Sequence, residues 1–236
     1  MPGYQTKQEH VAIAGVDDLV IRSLLDRQQF ADPLDEAADL GIGSATWPLF
    51  GLNWASGAEL AARLARRPVK AGERILEVGC GLGVASLVGH RRGADMTATD
   101  SHPLAADFLL HNLRLNDLAP MKYRHGDWAM LPAAPMPHQR AGRTLRQRLR
   151  GRFDLIIGSD LLYDRDHSLA LAGFIGRHAR ADAEVWIVDP DRGNRGPFNR
   201  SLAGQGFSLT EQRLDRAARG ALPAYKGRLL TYVRHG

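Results

Sequence analysis

The sequence contains very little cysteine and no long apolar run. Cys80 is its single cysteine, which excludes an intrachain disulfide and a zinc site built from cysteines. No apolar stretch approaches the roughly 20 residues that a membrane-spanning helix needs. The first residues also lack the apolar centre of a signal peptide. We therefore expect a cytoplasmic protein with no membrane association, and the scattered histidines and acids predict no metal centre.

The positive charge of the chain is unevenly distributed. The 236 residues carry a formal net charge of +5, but the segment 131–152 is rich in proline and arginine and contains no acid. We expect a proline-led loop followed by a short basic helix at 144–150. The segment is either a solvated charged face or an electrostatic guide for an acidic protein or RNA. No aromatic residue lies between its arginines, which disfavours nucleic acid as a partner.

A buried strand followed by a glycine-rich turn forms the most informative part of the sequence. Residues 75–78 are an apolar run interrupted by Glu77. Three glycines follow at alternate positions: Gly79, Gly81 and Gly83. A helix is expected next, and then a second strand at 96–99 that ends at Asp100. Strand, turn, helix and strand describe a crossover unit that binds a nucleotide, in which Asp100 can accept hydrogen bonds from ribose hydroxyls.

The spacing of the glycines distinguishes between possible ligands. A dinucleotide site uses Gly-x-Gly-x-x-Gly to seat a pyrophosphate on a helix N-terminus. Here the spacing is Gly-x-Gly-x-Gly, and Glu77 precedes the first glycine by two residues. An acid is unfavourable beside phosphate but suits an amino group. An NAD-dependent oxidoreductase is therefore disfavoured.

This arrangement resembles motif I of the class I S-adenosylmethionine-dependent methyltransferases. The resemblance implies that the three glycines line the methionine and ribose part of S-adenosylmethionine, that Glu77 and Asp100 also bind it, and that S-adenosylhomocysteine is the product. It further implies an α/β fold that is Rossmann-like and doubly wound. In that fold a mostly parallel seven-stranded sheet, with a closing antiparallel strand, lies in a three-layer α/β/α arrangement. A purely structural turn between strand and helix is the alternative.

Two aromatic positions extend the resemblance. Trp54 lies just before the first helix of the main domain, as in the lysine methyltransferase branch, which also includes relatives named for nicotinamide. In that branch this tryptophan leads into the cofactor pocket. Asp127 and Trp128 follow the third strand of the unit, where the family has an acid that meets the adenine amino group and an aromatic that lies against the ring. A buried structural role for Trp128 is the competing interpretation.

The run from Phe153 to Tyr163 predicts the acceptor side of the site. Residues 155–157 form a buried strand, and its carboxyl end lies where open α/β sheets bind ligands. Ser159 is assigned to the cofactor. Asp160-Leu-Leu-Tyr163 resembles the acid-x-x-aromatic pattern of the protein lysine methyltransferases, which implies that Asp160 and Tyr163 are catalytic. It differs from the Asn/Asp-Pro-Pro-Tyr/Phe run of enzymes that methylate adenine or glutamine.

The chain is expected to form one domain with an N-terminal extension. Residues 1–44 are the extension, packed on the core, and 45–236 form the methyltransferase domain with the insertion 131–152. Within the extension, residues 10–30 are expected to be a short extended piece followed by a helix or mixed segment. Residues 207–214 and 228–233 are expected to be closing strands. The Asp-Pro-Asp-Arg sequence at 189–192 is a candidate substrate-side loop.

The sequence thus predicts an N-methyltransferase whose partner is a protein substrate modified on lysine. A small-molecule N-methyltransferase with a pyridine or amine acceptor is the alternative, and a site closed by the N-terminal segment would favour it. A non-catalytic module that binds partners is a third hypothesis. The intact glycine turn and the intact Asp160-to-Tyr163 run disfavour that third hypothesis.

Overall fold

The computed structural model describes residues 3–129 and 147–236 of the chain. Most of the segment 131–152, and the first part of the basic helix expected at 144–150, lie outside the described residues. Residues 147–150 are described, and there the helix prediction is wrong. His125 donates its N–H to the carbonyl of Gln147 and accepts from the N–H of Leu149, both at 2.9 Å, so this piece is extended.

Seven of the nine strands in the described residues form one mixed sheet, in the order β5-β4-β3-β6-β7-β9-β8. The strands of this sheet are β3 (Arg74–Val78), β4 (Asp95–Asp100), β5 (Lys122–His125), β6 (Phe153–Ser159), β7 (Ala179–Asp189), β8 (Ser208–Arg213) and β9 (Arg228–Arg234). Neighbours from β5 to β7 are parallel, and β9 pairs antiparallel with both β7 and β8. The predicted mostly parallel sheet with an antiparallel closing strand is confirmed.

Helices connect the parallel strands, as the crossover pattern predicts. They are α1 (Ala55–Arg66), α2 (Val84–Arg91), α3 (Ala105–Leu115), α4 (Arg165–His178) and α5 (Arg195–Ala203). α2 joins β3 to β4, α3 joins β4 to β5, and α4 joins β6 to β7. Within residues 3–129 and 147–236, no helix is long and apolar enough to cross a membrane.

Two hydrophobic cores, one on each face of the sheet, produce the three layers. In β3, Ile75 belongs to the core that also contains buried residues of α1, α2 and α3. Its neighbours Leu76 and Val78 belong to the core formed with α4 and α5. This alternation follows from the two-residue period of a strand. Glu77 shares the face of Ile75 and therefore points toward α2.

The N-terminal part of the chain is a hairpin, which corrects the expected helix or mixed segment. β1 (Thr6–Val11) and β2 (Leu19–Leu24) pair antiparallel. Leu19 and Ile21 are fully buried and alternate with half-buried residues, which is a strand pattern. The spacing of the apolar residues between positions 10 and 30 is compatible with a helix as well as with a strand. Side chains from α3 decide the outcome, because Asn112 accepts a hydrogen bond from the N–H of Arg22 at 2.8 Å.

Candidate active site

The glycine turn connects β3 to α2 in a conformation that side chains rarely allow. Gly79, Gly81 and Gly83 have φ angles of 58°, 49° and 77°, all in the left-handed region. At Gly81 the space is also closed, because an added methyl group would lie 2.6 Å from the carbonyl oxygen of Phe50. Only glycine satisfies both conditions at that position.

Asp100 joins the end of β4 to this turn. Its Oδ2 accepts a hydrogen bond from the N–H of Gly81 at 2.9 Å, and its Oδ1 accepts one from the N–H of His102 at 2.8 Å. The residue is 8% exposed, and burial raises the pKa of the carboxyl while the backbone hydrogen bonds lower it. Each carboxylate oxygen has more than one lone pair, so Asp100 retains the capacity to accept from ribose hydroxyls.

Glu77 accepts hydrogen bonds from the first turn of α2. The side chain is buried, and its Oε2 accepts hydrogen bonds from both the N–H (2.8 Å) and the hydroxyl of Ser86. The pKa of Glu77 is raised to about 7: burial raises it most, the Ser86 hydrogen bonds lower it, and the charge of Asp100 raises it. A direct contact between Glu77 and the cofactor stays a prediction, and the local structure adds a role in holding the turn against the helix.

The expected adenine-side residues lie next to the glycine turn. A methyl group added at Gly79 would lie 3.3 Å from Cζ2 of Trp128 and 2.6 Å from Cδ2 of Leu161. Trp128 is half-buried, and its carbonyl accepts a hydrogen bond from Arg177 at 3.0 Å. Asp127 accepts from the N–H of Ala129 at 3.0 Å. The structure therefore brings Trp128 and the first glycine of the turn together.

Ser159 and Asp160 stand at the carboxyl end of β6, beside the end of β3. Asp160 has a φ of 59°, and its N–H donates to the carbonyl of Val188 at 3.0 Å. Its Oδ1 pairs with Nη2 of Arg192 at 2.7 Å. Burial raises the pKa of Asp160, whereas Ser56 and Arg192 lower it.

Tyr163 follows on the surface of the same loop. The side chain is partly exposed, and its ring contacts that of His167 with centroids 5.6 Å apart. Partial burial and the negative charge of Asp100 raise the pKa of the phenol.

Trp54, predicted to lead into the cofactor pocket, lies beside Arg192. It precedes α1, and its Nε1 donates to the carbonyl of Leu49 at 2.9 Å. Two guanidinium groups approach its ring, with Cζ of Arg27 and Cζ of Arg192 at 5.4 and 5.5 Å from the ring centroid. The structure therefore groups Trp54 with Arg192 and Asp160.

Sequence reasoning missed Ser56 and Tyr225. Ser56 Oγ and Tyr225 Oη are 2.9 Å apart, and the negative charge of Asp160 contributes to the raised pKa of Tyr225. Ser56 follows Trp54 closely, so the aromatic motif is a weak signal for it. Tyr225 lies in the irregular segment before β9, where no pattern indicates a site. Among the described residues, no group of three or more His, Cys, Asp or Glu could hold a metal ion.

Comparison with curated proteins finds similarity to a methyltransferase. No protein-family model matches the chain. Over 148 residues the chain is 27% identical to an electron transfer flavoprotein beta subunit lysine methyltransferase from Xenopus laevis, a match that covers 61% of the chain and 53% of the relative. The chain therefore spans about half the length of this curated relative.

Solved structures show the same fold at low sequence identity. A ribosomal protein L11 methylase from Lactobacillus delbrueckii subsp. bulgaricus matches with a TM-score of 0.56 and 19% identity, over 78% of this chain and 81% of that one. A magnesium protoporphyrin IX methyltransferase from Synechocystis PCC 6803, solved with bound S-adenosylmethionine, matches with a TM-score of 0.53 and 16% identity over 88% of each chain. The predicted Rossmann-like methyltransferase fold is confirmed.

Proposed function

We propose that this chain is a class I S-adenosylmethionine-dependent methyltransferase and that it transfers a methyl group to the side-chain amine of a lysine in a protein. One observation carries the proposal. Two groups of residues meet at the carboxyl ends of the adjacent strands β4, β3 and β6. The first is the pair expected to bind S-adenosylmethionine, Asp100 and Gly81, joined by a hydrogen bond of 2.9 Å. The second is Asp160, the acid expected to bind an amine. Open α/β sheets bind their ligands at this edge.

The chain's own residues fit S-adenosylmethionine. Trp128 lies against the first glycine of the turn, since a methyl group added at Gly79 would lie 3.3 Å from its Cζ2, and the flat indole ring suits contact with adenine. Asp100 would hold the ribose hydroxyls, and Asp127 would accept from the adenine amino group. The remaining glycines of the turn, with Glu77, Ser159 and Trp54, are proposed to contact the methionine part.

Methyl transfer is mainly a matter of positioning. When bound, S-adenosylmethionine supplies a methyl carbon on a positively charged sulfur, and transfer breaks the carbon–sulfur bond so that the bonding electrons return to sulfur. An unperturbed lysine amine has a pKa of about 10.4 and is protonated at neutral pH. Asp160 would bind and orient this amine, with Tyr163 beside it. After loss of the proton to water, the lone pair of the amine nitrogen forms the new bond along the axis of the breaking one.

A small-molecule acceptor is the second candidate. The observation that favours it is Arg27, which extends from the N-terminal segment to within 5.4 Å of the Trp54 ring centroid. That contact brings the N-terminal segment to Trp54, whose ring also faces Arg192, the ion-pair partner of Asp160. An amine acceptor of low mass would use the same Asp160 and Tyr163.

The test uses methyl-labelled S-adenosylmethionine, the pure protein and an extract of cells that lack it, followed by separation into protein and low-mass fractions. The electron transfer flavoprotein beta subunit, on which the Xenopus laevis relative is named to act, is the first purified protein to try. We expect base-stable label in a discrete protein band, suppressed by added S-adenosylhomocysteine. Label confined to the low-mass fraction would replace the lysine proposal with the small-molecule one. Cofactor binding with no transfer would revive the non-catalytic module.

A further inference from the structure

The loop that follows β7 is folded back by the side chain of Asp189. Its Oδ1 accepts hydrogen bonds from the N–H groups of Asp191 at 2.8 Å and Arg192 at 3.3 Å. Asp191, with a φ of 67°, pairs in turn with Arg213 at 2.8 Å and Arg228 at 3.0 Å. These charge-assisted contacts hold the backbone of Arg192 in one position beside the carboxyl end of β6.

The Arg192 side chain then lies between an acid and an aromatic ring. Its Nη2 is 2.7 Å from Oδ1 of Asp160, and its Cζ is 5.5 Å from the ring centroid of Trp54. The Asp160 side chain is 9% exposed and that of Arg192 is 33% exposed. A guanidinium that meets a carboxylate and a ring face together is oriented by both. The positive charge therefore lies directly beside the carboxylate proposed to receive the acceptor amine.

An unshielded Asp160 would oppose methyl transfer. A nearby carboxylate favours the ammonium form of an amine, which has no lone pair with which to attack, whereas a nearby cation favours the neutral form. On the basis of the proposed function, we propose that Arg192 is a positioning residue of the transfer site. Its guanidinium keeps Asp160 charged and correctly directed, and it favours the uncharged, nucleophilic form of the acceptor amine.

The groups around Asp160 come from several elements and set the expected pH dependence. Ser56 of α1, Arg192 and Asp189 at the end of β7 act on Asp160 itself. Tyr225 before β9 is influenced by Asp160 and also by Glu59 of α1, which pairs with Arg216, and Arg27 lies over the ring of Trp54. Burial raises the pKa of Asp160, and Arg192 and Ser56 counteract it. Removal of the Arg192 charge therefore raises the pKa of Asp160 and that of the acceptor amine together. Both changes move activity toward higher pH.

The experiment compares wild type, Arg192→Met and Arg192→Lys in methyl transfer to the protein that the wild type labels, from about pH 6 to about pH 10. Arg192→Met should shift the acid limb of the kcat/KM profile upward by about one pH unit, a loss of about tenfold at neutral pH. Arg192→Lys, which keeps the charge, should recover most of that loss. Arg200→Met, which removes an exposed charge on α5, should keep the wild-type profile.

Two results would overturn the assignment of Arg192. One is a wild-type pH profile in Arg192→Met. The other is an equal loss at every pH in both Arg192 variants, because a merely structural role predicts that pattern. If Arg192→Met fails to fold, Arg192→Gln replaces it, since the amide can hydrogen-bond to Asp160 without charge and should give the same shift. Absence of transfer by the wild type overturns the proposed function and this inference together, whereas transfer with unshifted variants overturns this inference alone.

Discussion

At the residue scale, the candidate site depends on two acids with different surroundings. Asp100 is surrounded by backbone donors, since Gly81 and His102 both donate to it. Asp160 instead faces a guanidinium, the one carried by Arg192. Backbone donors leave a carboxylate ready to accept from neutral hydroxyl groups, whereas a carboxylate paired with a guanidinium stays charged and is held in a direction from which it can bind an amine. The two acids therefore suit different parts of the reaction.

We predict that Asp160→Ala lowers the rate of methyl transfer by about 100-fold or more, because the acceptor amine loses the group that binds and orients it. Cofactor affinity, measured by isothermal titration calorimetry, should stay close to wild type, since Asp100 and the glycine turn are unchanged. Asp107→Asn, an exposed acid on α3, serves as the control and should leave both quantities unchanged. Unchanged turnover in Asp160→Ala would remove Asp160 from the site.

At the scale of elements, β3, the glycine turn and α2 form one unit. Glu77 on β3 accepts two hydrogen bonds from Ser86 in the first turn of α2, where backbone N–H groups lack partners within the helix. A carboxylate at this position also interacts favourably with the helix dipole. Its burial between strand and helix nevertheless opposes ionisation, so this unit carries a pH-sensitive acid.

That acid predicts how stability changes with pH. Burial raises the pKa of Glu77 from 4.5 to about 7, so in that window the folded chain keeps a proton that the unfolded chain releases. The free energy of unfolding should therefore decrease as the pH rises from about 4.5 to 7, by at most about 3 kcal/mol. Glu77→Gln keeps an oxygen for Ser86 but cannot ionise, so it should lose this decrease.

Urea denaturation of the cofactor-free protein at about pH 4.5 and about pH 8 measures the effect. Other buried acids contribute in both proteins, so the difference between wild type and Glu77→Gln isolates the contribution of Glu77. Glu9→Gln, at a partly exposed position on β1, should retain the wild-type dependence. An equal decrease in wild type and Glu77→Gln would show that Glu77 keeps its charge in the folded protein.

At the scale of the whole molecule, two asparagines hold the N-terminal hairpin in place: Asn112 within α3 and Asn116 at its C-terminal end. The Asn116 amide accepts from the N–H of Val20 at 2.9 Å and donates to its carbonyl at 2.8 Å, as a neighbouring strand would. Asn112 accepts from the N–H of Arg22 at 2.8 Å and donates to the carbonyl of Leu82, within the glycine turn, at 3.1 Å. One buried amide thus connects the hairpin with the proposed cofactor site.

We predict that Asn112→Ala lowers the free energy of unfolding by about 2–4 kcal/mol, because it leaves the N–H of Arg22 and the carbonyl of Leu82 without this partner. Cofactor affinity should also fall several-fold, since the glycine turn loses a support. Urea denaturation and calorimetric titration measure the two effects. The exposed Asn53→Ala provides a control for both. Wild-type stability in Asn112→Ala would show that the hairpin is held by apolar packing alone.

Local sequence patterns by themselves determined the fold class and the location of the candidate site. The apolar runs of β3 and β6, the three glycines and the acids at 100 and 160 predict a crossover unit, the sheet class and the sheet edge where the candidate site lies. These features depend on neighbours in the chain, whose geometry is set by backbone sterics and by the burial of apolar side chains.

Only the tertiary structure decided which distant residues meet. Arg192 reaches Asp160 and Trp54 because β6 and β7 are adjacent and α1 begins at the same edge of the sheet. Ser56 and Tyr225 are 169 positions apart in the chain but 2.9 Å apart in space. The hairpin replaced the expected helix because side chains of α3 supply its edge with hydrogen-bond partners. No local period encodes such pairings, since they depend on strand order and on which buried polar groups find each other after the core has formed.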